Sequence, residues 1–239
     1  MILVTSFSPQ GYEAYGKSML ESAFQNFKGS IIAYYDEEPE ECNKVEGVIY
    51  ADLTKTYGFR TFLGYIDRSP VFSGKTPAGY NYNYDARKFS KKVFAQLDVL
   101  KPNTGKVLWV DSDSLITKPL TEEFVSSLFN GKALSYLGRA GFHTETGFVG
   151  FDTDKHDFPK FLEKYTECYR KGRIFTLQRW HDCAAFDWAL EQSGASANNL
   201  SPNWKMGDDL DVMPSTVLSG YILHMKGNKK WKQTESATA

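Results

Sequence analysis

The chain has 239 residues, 41% of them hydrophobic and 15% aromatic, enough to bury one large core or a domain with a subdomain. Its 28 Lys and Arg offset 29 Asp and Glu, so no global field draws it to nucleic acid or an anionic membrane. Three cysteines, Cys42, Cys168 and Cys183, lack CxxC spacing and argue for reduced thiols rather than a disulfide framework. No segment approaches the roughly 18 consecutive apolar residues of a membrane span. The apolar opening MILV turns polar too soon for a signal peptide. A soluble, cytoplasmic protein is expected.

The first element is a buried strand, ILVTSF. A helix over residues 12–28 follows, with Tyr15, Met19, Ala23 and Phe27 at helical spacing and Gly29 at the expected C-terminal cap. SIIAYYDE reads as a second strand ending in Asp36, and GVIYADL as a third. Residues 66–84 carry two prolines, glycines and the alternating Tyr80, Tyr82 and Tyr84, which predicts a long functional loop. The tyrosines could stack on a sugar or base, or simply pack the loop down. DARKFSKKVFAQLDVLK is a helix with Phe89, Val93, Leu97 and Leu100 as its apolar stripe and Arg87, Lys88, Lys91 and Lys92 off it.

Next comes KVLWVDSDSL, an apolar strand running into Asp111 and Asp113. Two carboxylates this close repel unless a proton or a cation lies between them. At a strand end such a pair suits Mg²⁺ or Mn²⁺ held against a diphosphate. The same pattern also occurs as an exposed turn in which aspartates cap backbone N–H groups.

Beyond it, KALSYLG and TGFVGFD read as strands, and DFPKFLEKYTECYRK and RWHDCAAFDWALEQ as helices. STVLSGYILHMKG closes the fold as a strand entering a turn at His224. There Gly227 permits close approach to an anion, and Lys226, Lys229 and Lys230 add positive charge. An imidazole beside two carboxylates favours Mn²⁺ somewhat over Mg²⁺. Strand–helix alternation predicts an α/β fold with a mostly parallel sheet, whose ligands bind at the carboxyl ends of the strands.

A strand ending in DxD, with His-x-x-Gly-x-x-Lys and an aromatic near the C-terminus, resembles the metal-dependent GT-A glycosyltransferases, especially the glycogenin and galactosyltransferase type. The resemblance implies a single GT-A-like, Rossmann-type domain over residues 1–232, with a nucleotide-sugar half (1–113) and an acceptor half (114–232); the tail QTESATA (233–239) has nothing to bury and is expected to be disordered. It implies Asp111, Asp113 and His224 as ligands of Mn²⁺ (or Mg²⁺) on the diphosphate of a nucleotide sugar, most simply a UDP-sugar. Ser112, Gly227 and Lys229 or Lys230 then contact the donor, although KKW stands where the family has Lys-Pro-Trp. Thr5, Ser6 and Phe7 are implied for the base and ribose, joined by Asp36, and Arg87 and Lys91 for the sugar diphosphate.

On the sugar side the resemblance points to Glu145 and Thr146 as the wall beside the donor. His181 and Asp182 fall where the family carries Asp-Gln-Asp, a motif that is not literally present. An inverting enzyme would use Asp182, His181 or Glu145 as general base; the His-x-x-Gly-x-x-Lys feature leans towards retention. The acceptor stays open between a saccharide, a protein and a nucleic-acid base. Two rival readings remain. LWVDSDSL followed by KMGDDLD imitates a haloacid-dehalogenase-type phosphatase, with Asp111 as nucleophile and Asp113 as acid. A non-catalytic nucleotide-sugar or nucleic-acid-binding module would bind metal without turnover.

Overall fold

The computed structural model describes residues 1–36, 38–40, 43–101, 104–209 and 211–225. Cys42, Lys226, Gly227, Lys229, Lys230 and the expected tail lie outside the described residues.

The strands, in chain order, are β1 (Ile2–Phe7), β2 (Ser30–Tyr35), β3 (Val48–Asp52), β4 (Ser73–Thr76), β5 (Gly79–Asp85), β6 (Lys106–Val110), β7 (Ser114–Ile116), β8 (Leu134–Leu137), β9 (Glu145–Asp152), β10 (Ala197–Asn199) and β11 (Ile222–His224). Seven of them form one sheet in the order β10-β8-β9-β6-β1-β2-β3. Within it β9 alone runs against the others, pairing antiparallel with both β6 and β8. The expected α/β class with a mostly parallel, helix-flanked sheet is therefore what the chain forms.

Alternation along the strands explains why they read as unbroken apolar runs. Val4, Val107, Trp109 and Val149 pack into one core with the Ala86–Val99, Phe158–Arg170 and Asp182–Ser193 helices. Their neighbours Leu3, Leu108, Val110 and Phe148 pack into a second core with the Lys17–Asn26 and Glu122–Phe129 helices. A strand buried on both faces favours apolar residues along its length, and a charge is accommodated most easily where it leaves the sheet. At the end of β6 that charge is Asp111.

Several elements differ from the sequence reading. The first helix is α-helical only over Lys17–Asn26; Tyr12–Gly16, including Tyr15, forms a wider π turn. Gly29 is no left-handed cap: a Cβ there would lie 2.4 Å from the Met1 carbonyl oxygen, so close approach to the N-terminus requires glycine. Residues 66–84 are not simply irregular, because β4 and β5 pair as a hairpin over 73–85. The Phe59–Ile66 and Glu122–Phe129 helices escaped the reading, the latter capped by the Thr121 hydroxyl on Phe124 N–H. The last strand shrinks to β11, which pairs antiparallel with β7 and sets His224 opposite Ser114. No helix among the described residues is long and apolar enough to cross a membrane.

Candidate active site

Parallel β1 and β6 end side by side, and β9, running the other way, begins at that same sheet edge. The Asp111 N–H donates to the Gly147 carbonyl at 2.9 Å, so the first residues of β9 flank the aspartate turn. Pairing of β11 with β7 then delivers the C-terminal histidine, and Met225 N–H locks it by donating to the Asp113 carbonyl at 2.8 Å. As a result one ligand atom each of Asp111, Asp113 and His224 lies within 4.8 Å of the others. Residues separated by more than a hundred positions meet because a three-residue strand finds its partner.

The fit to a divalent cation is testable on this geometry. Two carboxylates and an imidazole are a donor set for Mn²⁺ or Mg²⁺. His224 Nε2 faces Asp113 Oδ1 at 3.4 Å, and the ring packs over Gly147, where an added Cβ would come within 2.9 Å of Cε1. The residues present fit the ion. In the metal-free chain, burial lowers the His224 pKa, but Asp113, Asp211 and Asp111 outweigh it and hold the imidazole up at about 9. Burial raises the Asp111 pKa, Lys92 opposes this, Asp113 adds to it, and the net shift is upward. The His224 shift reflects the surplus negative charge of the site, whereas the Asp111 shift comes mainly from burial, with Asp113 adding to it.

Asp111 and Asp113 open on a cleft of about 330 Å³ walled by Ser6 and Phe7 at the end of β1, Tyr15, Lys88, Lys91 and Lys92, with Ser112 between the aspartates. Lys91 pairs with Asp36, which draws both candidates to the cleft's edge. Arg87 instead pairs with Asp67 and does not line the cleft. Thr5 is sealed inside β1. A larger groove of about 810 Å³ lies between Tyr57 and Phe175, but no carboxylate or histidine lines it.

On the other flank, Asp182 starts its helix directly after His181, whose Nδ1 accepts the Ala184 N–H at 3.2 Å as the helix cap. Asp182 Oδ2 accepts the Thr146 hydroxyl at 2.6 Å. Glu145 accepts the Gly147 N–H at 3.1 Å and pairs with Arg139 at 3.3 Å. Burial drives the His181 pKa down to about 4, against the pull of Asp182, so the ring is neutral near pH 7. Burial would raise Asp182, but Lys92 and Thr146 outweigh it and keep the carboxylate below its usual range. Of the three tyrosines, Tyr82 lies parallel to the His181 ring at 6.4 Å while staying half exposed.

Lys92 is the residue that reading by motif missed. Its ammonium lies 2.8 Å from Asp111 Oδ1 and 2.9 Å from Asp182 Oδ2, over the Trp109 ring at 5.3 Å. The indole N–H of Trp109 donates to the same Asp111 oxygen at 2.7 Å. A signal existed: Ala95 and Val99, three and seven residues on, give Lys92 its own buried face. A lysine on an apolar face needs a carboxylate partner, and here it has two.

The acidic run that imitated a phosphatase motif comes apart. Asp208 accepts the Lys205 N–H at 2.8 Å and Asp209 the Asp211 N–H at 3.0 Å, both in an exposed turn, while Asp211 alone reaches His224. The Asp182 flank also brings His181, Asp182 and Cys183 together, but the first and second are already committed to the helix cap and to Lys92.

Neither a protein-family profile nor a curated protein matches the sequence. Solved structures match its fold. Mouse xyloside xylosyltransferase 1, in its apo form, superimposes with a TM-score of 0.60 at 12% identity, over 96% of this chain and 99% of that one. The chain has the GT-A fold. Other GT-A structures agree: an active-site mutant of the galactosyltransferase LgtC gives a TM-score of 0.52 at 16% identity, over 95% of this chain and 88% of that one. The glycosyltransferase GlyE of Streptococcus pneumoniae TIGR4 gives 0.50 at 14% identity, over 97% of this chain and 56% of that one. In this GT-A chain the DxD turn sits at the carboxyl edge of the sheet.

Proposed function

We propose that this chain is a metal-dependent glycosyltransferase that moves a sugar from a nucleoside-diphosphate sugar to a hydroxyl acceptor. The observation that carries the reading is the convergence of Asp111, Asp113 and His224 at the carboxyl edge of a GT-A sheet. Asp111, Asp113 and His224 would hold Mn²⁺, or Mg²⁺, which when bound neutralises the diphosphate and makes it a better leaving group. Ser6, Phe7 and Ser112 line the cleft in which the nucleotide would lie, with Lys91 and Asp36 at its edge. Lys92 adds a fixed positive charge on the sugar side, held in place by Asp111, Asp182 and Trp109. Uridine is the base carried over from the resemblance.

The surroundings of the three acidic and basic candidates favour retention. A general base needs a free lone pair and a pKa near the working pH. Asp182 is engaged by Lys92 and Thr146, Glu145 by Arg139 and Gly147, and His181 by its helix N-terminus. Side chains so occupied orient a sugar and stabilise developing positive charge better than they remove a proton. The half-exposed Tyr82 beside His181 is a surface on which a saccharide acceptor would stack.

The test is thermal denaturation with UDP-, GDP-, CDP- and TDP-sugars, each with Mn²⁺ and with EDTA. A ligand of the native state raises the melting temperature without any acceptor being known. Stabilisation by one nucleotide sugar only when Mn²⁺ is present is the expected result. No shift with any nucleotide, but one with phosphate or beryllofluoride plus Mg²⁺, would transfer the site to a phosphatase.

A further inference from the structure

We infer that Asp211 is a positioning residue of the metal site, holding the His224 ring so that Nε2 faces Asp113. This deepens the proposed function and rests on Asp111, Asp113 and His224 being the metal ligands. His224 contacts a carboxylate at each ring nitrogen: Nε2 lies 3.4 Å from Asp113 Oδ1, and Nδ1 lies 3.6 Å from Asp211 Oδ1. The His224 and Asp211 side chains are only 3% and 9% exposed, so bulk water does not serve the Nδ1 side of the ring. A ligating histidine binds metal through one nitrogen and donates the other N–H, and the acceptor sets both tautomer and ring angle.

The chain spends structure on keeping that acceptor in place. Asp211 N–H donates to Asp209 Oδ1 at 3.0 Å, and the Asp209 carbonyl accepts the Trp204 indole N–H at 2.9 Å. Trp204 is buried on one side of the turn, and Val212 and Met213 are fully buried on the other. Gly147 lies against the ring at Cε1, next to the same Nδ1, with no room for a Cβ. The Cε1–Nδ1 edge of the imidazole is thus flanked by a glycine backbone and faced by a carboxylate, which leaves Nε2 as the nitrogen presented to Asp113. The acidic run at 208–211 thereby acquires a role: two of its aspartates shape the turn and the last orients the histidine.

The experiment measures Mn²⁺ affinity of the full chain, without nucleotide, from the electron paramagnetic resonance signal of free Mn²⁺. Asp211→Ala is expected to weaken binding by about 10- to 100-fold. Asp211→Asn, which keeps an oxygen for the Nδ1 proton, should lose less. Melting temperatures in EDTA check that each variant folds, and Asp211→Asn serves if the alanine variant does not. The deciding comparison is a cycle with His224→Ala: if Asp211 acts through the ring, removing it from the His224→Ala protein changes affinity no further. Unchanged affinity in Asp211→Ala, or an equal loss with and without His224, overturns the inference. Wild-type protein that takes up no Mn²⁺ removes the metal reading itself, a result distinct from wild-type binding that Asp211→Ala leaves intact.

Discussion

Lys92 and Asp111 form an ion pair of 2.8 Å, so one of the two aspartates has a permanent cationic partner inside the protein. The same ammonium reaches Asp182 at 2.9 Å, which ties the DxD turn at the end of β6 to the start of the Asp182–Ser193 helix. One side chain on the cleft wall therefore links the aspartate turn to the start of that helix.

Replacing Lys92 with methionine keeps the volume and removes the charge. The buried Asp182 and the partly exposed Asp111 then lose their partner, and breaking the buried pair costs about 3–5 kcal/mol. Urea denaturation in EDTA should register that loss. The rise in melting temperature on adding Mn²⁺ should be larger than in the wild type, because the added cation meets a more negative site. Wild-type stability in Lys92→Met would show that the two pairs contribute nothing net.

Asp113→Asn removes a ligand while keeping size, and at 14% side-chain exposure it leaves the core untouched. The expected outcome is an unchanged melting temperature in EDTA and loss of all Mn²⁺-dependent stabilisation by nucleotide sugar. Activity that survives without a raised metal requirement would sink the metal reading.

Gly147→Ala forces a Cβ to within 2.9 Å of a buried imidazole that has little freedom to yield. Overpacking of this kind costs about 1–3 kcal/mol. Here the strain falls on a ligand, so calorimetric Mn²⁺ affinity should drop by about tenfold or more. An affinity equal to wild type would mean that the His224 ring is free to shift.

His181 supplies a pH prediction whose sign follows from its depressed pKa. The unfolded imidazole titrates near 6.5 and the folded one at about 4. Between these values the unfolded chain binds a proton that the native chain does not, so stability is full above pH 6.5 and falls as the pH drops towards 4. The contribution at stake is on the order of 3 kcal/mol. His181→Asn retains a good helix cap but cannot titrate, so its stability measured by urea denaturation should fall less steeply over that window. Parallel pH profiles would exclude His181 as the source.

Much of this protein is legible in one dimension. Strands buried on both faces are dominated by apolar residues, and β1, β2, β6 and the centre of β9 stand out as such because both of their faces pack into a core. Asp111 and Asp113 are legible for the same reason, as charge placed where a buried strand ends. The Glu122–Phe129 helix is less so, being two turns long with few periodic positions to count. The hairpin in residues 66–84 hides because its tyrosines and glycines carry no clean alternation of burial.

Composition and local pattern thus determined the α/β class, the position of the acidic turn and the candidacy of His224, since each depends on which residues a short segment can bury. Only the tertiary structure decided which charges meet. Lys92, Asp111 and Asp182 sit on three different elements, and His224 reaches the aspartates through a three-residue pairing of β11 with β7. Arg87 and Lys92 lie on the same helix and carry the same charge, yet one pairs at the surface with Asp67 and the other enters the site. Five residues of helix separate them by more than a turn, and that rotation, set by how the helix packs on the sheet, chose between them.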